Sequence, residues 1–242
     1  MVLGYAVNMK NIIEMIRKTL KAEACGSDRI DTQRWFKEEI KAYGLKAADV
    51  RKIAKTYFVE VKDLPKEQLF VLCESLWQSS YLEESGIACE WICRIHKDLK
   101  PKDWTIFDRW VDVYITNWAR CDTFCGDTVG TFLEMYPQYL RKLPMWAKSK
   151  NLWKRRAAAV SLIKPARKGL FHENVFEIAE ILLRDTEDMV QKGYGWMLKE
   201  ASNVDQQSVF RFVMEHKAVM PRTALRYAIE KMPKNLKERA MK

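Results

Sequence analysis

The chain has 242 residues, enough for one large domain or two small ones, and its 42 lysines and arginines against 32 aspartates and glutamates leave a formal charge of +10. With 12% aromatic residues, that balance favours a polyanionic partner, nucleic acid ahead of an anionic membrane surface. No stretch approaches the roughly 18 uncharged apolar residues of a membrane span, and the opening MVLGYAVNMKNIIEMIRK lacks a continuous apolar run ending in a small-residue cleavage site, so the expectation is a cytoplasmic protein with no membrane partner.

Helical periodicity is predicted first over residues 8–24 (NMKNIIEMIRKTLKAEA), within an amino-terminal helical cap assigned to residues 1–30. It returns over 65–78 (PKEQLFVLCESLWQ), 101–115 (PKDWTIFDRWVDVYI), 174–184 (NVFEIAEILLR) and 208–216 (SVFRFVMEH). Sustained period-2 alternation between Asn-Gly or Asp-Gly turns is absent, which makes the predicted class all-α. Nine glycines, seven prolines and no Gly/Ser-rich linker predict a single domain over 1–242.

Pro65, Pro101 and Pro137 lie 36 residues apart, and each opens a helical stretch, where proline is tolerated at the first position. Glu84, Arg120, Arg156 and Lys192 follow the same 36-residue period, the last two leading into Ala157-Ala158-Ala159 and Gly193-Tyr194-Gly195. Helix pairs repeating every 35 to 45 residues or so mark α-solenoids, and no TPR consensus is present. The prediction is an α-α superhelix of about six HEAT-like repeats beginning near residues 31, 65, 101, 137, 173 and 205, with a concave basic groove for DNA.

The six cysteines include no C-x-x-C; Cys89/Cys93 and Cys121/Cys125 are each four apart, on one helix face, and read as core thiols. His96, His172 and His216 stand in unrelated contexts, so neither a metal nor a cofactor is expected.

Taking Arg156 as the reference position of its repeat's second helix, Trp118, Asp122 and Trp196 fall near the same end of neighbouring equivalent helices. Side chains so placed can converge on one groove, although the spacing alone does not bring them there. The segment KSKNLWKRRAAAVSLIKPARK (148–168) adds eight cations, and Lys148, Lys154, Arg155 and Arg156, with Lys192 one repeat later, are the candidate DNA-binding residues. A solvated basic face and core tryptophans are the competing readings. A carboxylate at Asp122 would weaken DNA binding unless its charge served another purpose, and catalysis is such a purpose.

At these residues the chain resembles the AlkD family of bacterial and archaeal DNA alkylation repair glycosylases. The resemblance rests on Trp118 and Asp122 in TNWARCDTF, Arg156 in NLWKRRAAAVSL and Trp196 in QKGYGWMLKEAS, and extends more weakly through YGLKAADVRKIAK and LWQSSYLEESGIACEWI. It implies hydrolysis of the N-glycosidic bond of cationic alkylpurines such as 3-methyladenine and 7-methylguanine, in double-stranded DNA, by a monomer that does not enclose the lesion in a pocket. On that resemblance Asp122, Trp118 and Trp196 are the catalytic residues. Asp122 stabilises the sugar cation and orients water, the two tryptophans pack against the sugar, and Arg156 grips a phosphate. A non-catalytic HEAT-like module binding DNA structure or a protein is the competing function.

Overall fold

The computed structural model describes residues 2–25 and 30–242. Among the described residues it is helical, and the sole β pairing is an isolated parallel bridge between Lys41 and Tyr81. The chain divides into two compact units, Met1–Leu99 and Lys100–Lys242.

The first unit holds α1 (Val2–Glu23), α2 (Ala47–Val61), α3 (Lys66–Gln78) and α4 (Leu82–Arg94). Ile12, Ile16 and Leu20 recur every four residues and are all buried, and α1 packs against α2 and α3. Residues 1 and 26–29 of the expected amino-terminal cap lie outside the described residues. The repeat expected near residue 31 has only a 3-10 turn, Gln33–Trp35, where a first helix would stand.

The reason is local. Gly44 has φ of +91°, and the backbone around it is held by a side chain rather than by helical hydrogen bonds. The Glu83 carboxylate accepts the amide N–H groups of Tyr43, Gly44 and Leu45 at 3.0, 2.7 and 3.1 Å. Its neighbour Glu84 accepts from the Tyr43 hydroxyl at 2.8 Å and from Arg17 Nε at 3.0 Å. Pro65 occupies the capping position directly before α3, as its fixed φ allows.

The second unit runs through α5 (Trp104–Tyr114), α6 (Trp118–Thr123), α7 (Gly130–Met135), α8 (Leu143–Ala147), α9 (Leu152–Val160), α10 (Ile163–Arg167), α11 (His172–Ile181), α12 (Asp188–Ala201), α13 (Gln206–His216), α14 (Arg222–Ala228) and α15 (Lys234–Met241). Pro101 and Pro137 each open a 3-10 turn that leads into α5 and α8, so all three prolines of the 36-residue series begin helical segments. The later repeat starts expected near 173 and 205 are met by α11 and α13, at His172 and Gln206. Between α6 and α7 the backbone continues as a π-helix, Phe124–Val129.

Equivalent second helices stack: α6 packs on α9, α9 on α12 and α12 on α14. Small residues permit this. Ala157, Ala158 and Ala159 have no exposed surface, and a Cβ at Gly195 would stand 2.7 Å from Tyr227 Cβ and 2.8 Å from the Ala224 carbonyl. An aromatic cluster fills the core nearby, where Phe107 meets Phe124 and Phe132 edge to face with centroids 5.5 Å apart. Cys73, Cys89, Cys121 and Cys125 are buried core thiols, whereas Cys93 is half-buried and Cys25 exposed.

Candidate nucleic-acid interface

Two asparagine caps set the helices that carry the candidate residues. Asn117 accepts the Arg120 amide at 3.0 Å and starts α6, which places Trp118 and Asp122 one turn apart on one face. Asn151 accepts the Trp153 amide at 2.9 Å and starts α9, which carries Arg156 in its interior. Arg120, in the same series as Arg156, is buried and donates to the Tyr114 carbonyl and the Thr116 hydroxyl.

Asp122 and Arg156, 34 residues apart, meet in a bidentate ion pair: Nε donates to Oδ1 at 2.9 Å and Nη2 to Oδ2 at 2.8 Å. Arg156 Nη1 also donates to the Met189 carbonyl of α12. The Arg156 side chain is 6% exposed and that of Asp122 is 20% exposed, so the carboxylate is the member of the pair that solvent reaches. Burial raises the Asp122 carboxyl above the usual aspartate range, with the charge and hydrogen bonds of Arg156 opposing part of that rise. Burial works against the Arg156 charge too, but Asp122 outweighs it and the guanidinium stays protonated.

The tryptophans separate into two groups. Of the nine, Trp77, Trp91, Trp104, Trp110, Trp146 and Trp153 are buried, so most of the aromatic content is core. Trp35 is exposed, and Trp118 and Trp196 are half-buried. Trp196 stands on α12 on the same face as Gly193, where a Cβ would come within 3.2 Å of Arg156 Cγ. Its indole N–H donates to Glu200 Oε1 at 3.2 Å. Asp122 and Arg156 are therefore in direct contact, α12 abuts Arg156 at Met189 and Gly193, and each tryptophan lies one turn along the helix from this junction.

The candidate DNA-binding cations are less free than their run in the sequence suggests. Lys154 pairs with Asp108 at 2.9 Å and Asp112 at 2.6 Å, and its side chain is 12% exposed. These two carboxylates outweigh the effect of burial and raise its pKa. Arg155 pairs with Asp185 at 2.6 Å and Lys192 with Asp188 at 2.7 Å, while Lys148 is exposed. Farther along the same run, Arg167 pairs with Glu200 and Lys168 with Glu134. Apart from Asp188, which is four residues from Lys192, the acids were missed because they lie about one repeat away in the chain. Pairing each cation with carboxylates about one period distant would have found Asp108, Asp112, Asp185 and Glu200.

Among the described residues, no group of three or more His, Cys, Asp and Glu is placed to hold a metal ion, and no helix is long and apolar enough to cross a membrane.

The family model described as DNA alkylation repair enzyme matches residues 16–232. The chain belongs to the DNA alkylation repair enzyme family. Solved structures agree on the fold. A predicted DNA alkylation repair enzyme from Enterococcus faecalis is 18% identical, with a TM-score of 0.76 over 85% of this chain and 98% of that one. AlkD2 from Streptococcus mutans is 20% identical, with a TM-score of 0.63 over 92% and 98% of the two chains. Curated protein sequences yield no match. Within the DNA alkylation repair enzyme family, then, this member sets a solvent-reached aspartate on a buried arginine at the junction of three stacked helices.

Proposed function

We propose that this member of the DNA alkylation repair enzyme family is a DNA glycosylase that hydrolyses the N-glycosidic bond of cationic alkylpurines such as 3-methyladenine and 7-methylguanine. Its substrate is double-stranded DNA, and it acts as a cytoplasmic monomer over residues 1–242, without enclosing the lesion. The observation that carries this reading is the Asp122 carboxylate, partly exposed and fixed through both oxygens by a buried guanidinium.

An alkylated purine bears a positive charge, so when the C1′–N bond breaks, its electron pair neutralises the base, which leaves without a proton from the enzyme. Positive charge passes to the deoxyribose. A carboxylate held in place beforehand stabilises that charge without reorganising, which is where electrostatic catalysis gains most. The two hydrogen bonds from Arg156 leave lone pairs on both Asp122 oxygens, enough to orient the water that adds to C1′ and to take its proton. Arg156 favours the ionised carboxylate against the pull of burial. Trp118, one turn from Asp122 on α6, and Trp196, one turn from Gly193 on α12, are half-buried and would supply π faces for the sugar edge.

Arg156 reaches a phosphate only through the N–H groups left after Asp122 and the Met189 carbonyl. Replacing it by alanine should lower the magnitude of the salt slope of DNA binding by about one if that contact forms. Lys148, Lys154, Arg155 and Lys192 complete the proposed backbone-binding set, with exposed Lys148 contributing most directly.

A second reading draws on the same pair: an internally satisfied ion pair is also what a non-catalytic DNA- or protein-binding module would keep as a structural clamp. Incubation of the protein with a duplex containing 7-methylguanine decides between them. Free 7-methylguanine released in proportion to enzyme supports the glycosylase, and binding without release supports the module.

A further inference from the structure

Beyond the ion pair, the best-organised polar cluster of the second unit surrounds Glu200. This carboxylate lies on α12, one turn after Trp196, and is 5% exposed. Four groups donate to it. The Trp196 indole N–H reaches Oε1 at 3.2 Å, Arg167 Nε reaches Oε2 at 2.9 Å, Asn203 Nδ2 reaches Oε2 at 3.1 Å, and Lys231 Nζ stands 3.5 Å from both oxygens. Burial alone would raise the Glu200 carboxyl, but Arg167, then Lys231 and the indole N–H, outweigh it and hold it below the usual glutamate range. Glu200 therefore stays ionised at neutral pH. Its cationic partners come from outside α12, Arg167 from α10 and Lys231 from the turn after α14, so Trp196 is tied through Glu200 to the elements that carry them.

We propose that Glu200 is a positioning residue that fixes the Trp196 indole and, through the N–H hydrogen bond, makes its π face more electron-rich. A carboxylate accepting from the indole N–H pushes electron density into the ring. The more negative face then attracts a sugar cation more strongly, as cation–π attraction depends on the ring quadrupole. Arg167 and Lys231 serve this by keeping Glu200 charged; of its two neutral donors, the Asn203 amide and the Trp196 indole, the indole is the one with an aromatic face for the carboxylate to enrich. The inference rests on the proposed role of Trp196 at the sugar.

Glu200→Gln keeps the size of the side chain and removes its charge. Single-turnover excision of 7-methylguanine should fall about fivefold, the size of a partial loss of a cation–π contact, while affinity for undamaged duplex holds. In a Trp196→Phe background, which has no N–H, Glu200→Gln should cost nothing further. The Trp196 indole N–H resonance, assigned by its disappearance in Trp196→Phe, should move in Glu200→Gln. If Glu200→Gln fails to fold, β-(3-benzothienyl)alanine at position 196, which replaces the N–H by sulfur in the same shape, leaves Glu200 intact and should show the same loss. An unmoved indole resonance, or equal losses from Glu200→Gln with and without the indole, overturns the inference. Full excision in the benzothienyl variant overturns it as well. If Trp196→Phe itself excises normally, the failure is in the role given to Trp196 rather than in the link to Glu200.

Discussion

The Arg156 guanidinium holds both carboxylate oxygens of Asp122, at 2.9 and 2.8 Å, from the equivalent helix of the next repeat, and leaves the carboxylate as the more exposed partner. The position of Asp122 is thus set by the stacking of α6 on α9 rather than by α6 alone.

Asp122→Asn keeps the shape and one acceptor but removes the negative charge. Excision should fall roughly 100-fold to 1,000-fold, the usual cost of losing one preorganised electrostatic contact. DNA affinity should hold or rise, because Arg156 then carries an unbalanced positive charge. Single-turnover release of 7-methylguanine, with binding measured alongside, tests both halves; wild-type excision from a folded variant would remove Asp122 from the chemistry.

The pH dependence follows from the direction of the Asp122 shift. The ionised form does the work, and burial raises the folded pKa above the ordinary aspartate value of about 3.9. Excision should therefore be complete well above that raised value and be lost as pH falls through it, with a half-point higher than an unperturbed aspartate would give. Asp122→Asn should flatten this acid limb in a pH profile of single-turnover rates.

Breaking the pair from the other side should be costly in a different way. Arg156→Ala leaves the Asp122 carboxylate largely buried without its counter-ion, which typically destabilises by about 3 to 5 kcal/mol. Adding Asp122→Asn should recover much of that loss, since no charge then remains to be buried. Denaturant unfolding of the two single variants and the double variant measures the coupling; simple additivity would mean that the two residues do not interact in solution.

The repeat was legible because proline leaves a rigid mark: Pro65, Pro101 and Pro137 cannot continue a helix from the preceding residues, so their spacing displays the period directly. The same register brought Asp122 and Arg156 onto adjacent equivalent helices. Their direct pairing was not legible, because a period says which helices are neighbours and not which side chains touch. Charge was the least legible property. Lys154, Arg155 and Arg167 read as part of a basic run, but their counter-ions Asp108, Asp112, Asp185 and Glu200 lie 30 to 46 positions away in sequence. Residues 31–46 escaped for another reason. A side chain, Glu83, bonds their backbone amides at Tyr43, Gly44 and Leu45, and hydrophobic periodicity does not report such bonds.

Two glycines two residues apart on α12, Gly193 and Gly195, separate stability from alignment of the site. At Gly195 an added methyl group would lie 2.7 Å from Tyr227 Cβ and 2.8 Å from the Ala224 carbonyl, and backbone on α14 cannot yield. Gly195→Ala should cost about 3 kcal/mol or more of stability, at the upper end for overpacking. At Gly193 the methyl group would meet Arg156 Cγ at 3.2 Å and its Nη1 at 3.5 Å, atoms of a side chain that can shift by a few tenths of an ångström. Gly193→Ala should therefore cost less, about 1 kcal/mol. The shifted guanidinium carries the Asp122 carboxylate with it, and misplacement of a catalytic group is penalised steeply, so excision per folded molecule should fall about tenfold. Unfolding curves and single-turnover excision on both variants make the comparison. If Gly193→Ala excises at the wild-type rate once corrected for its folded fraction, Arg156 does not set the catalytic position of Asp122, and the ion pair is a structural contact alone.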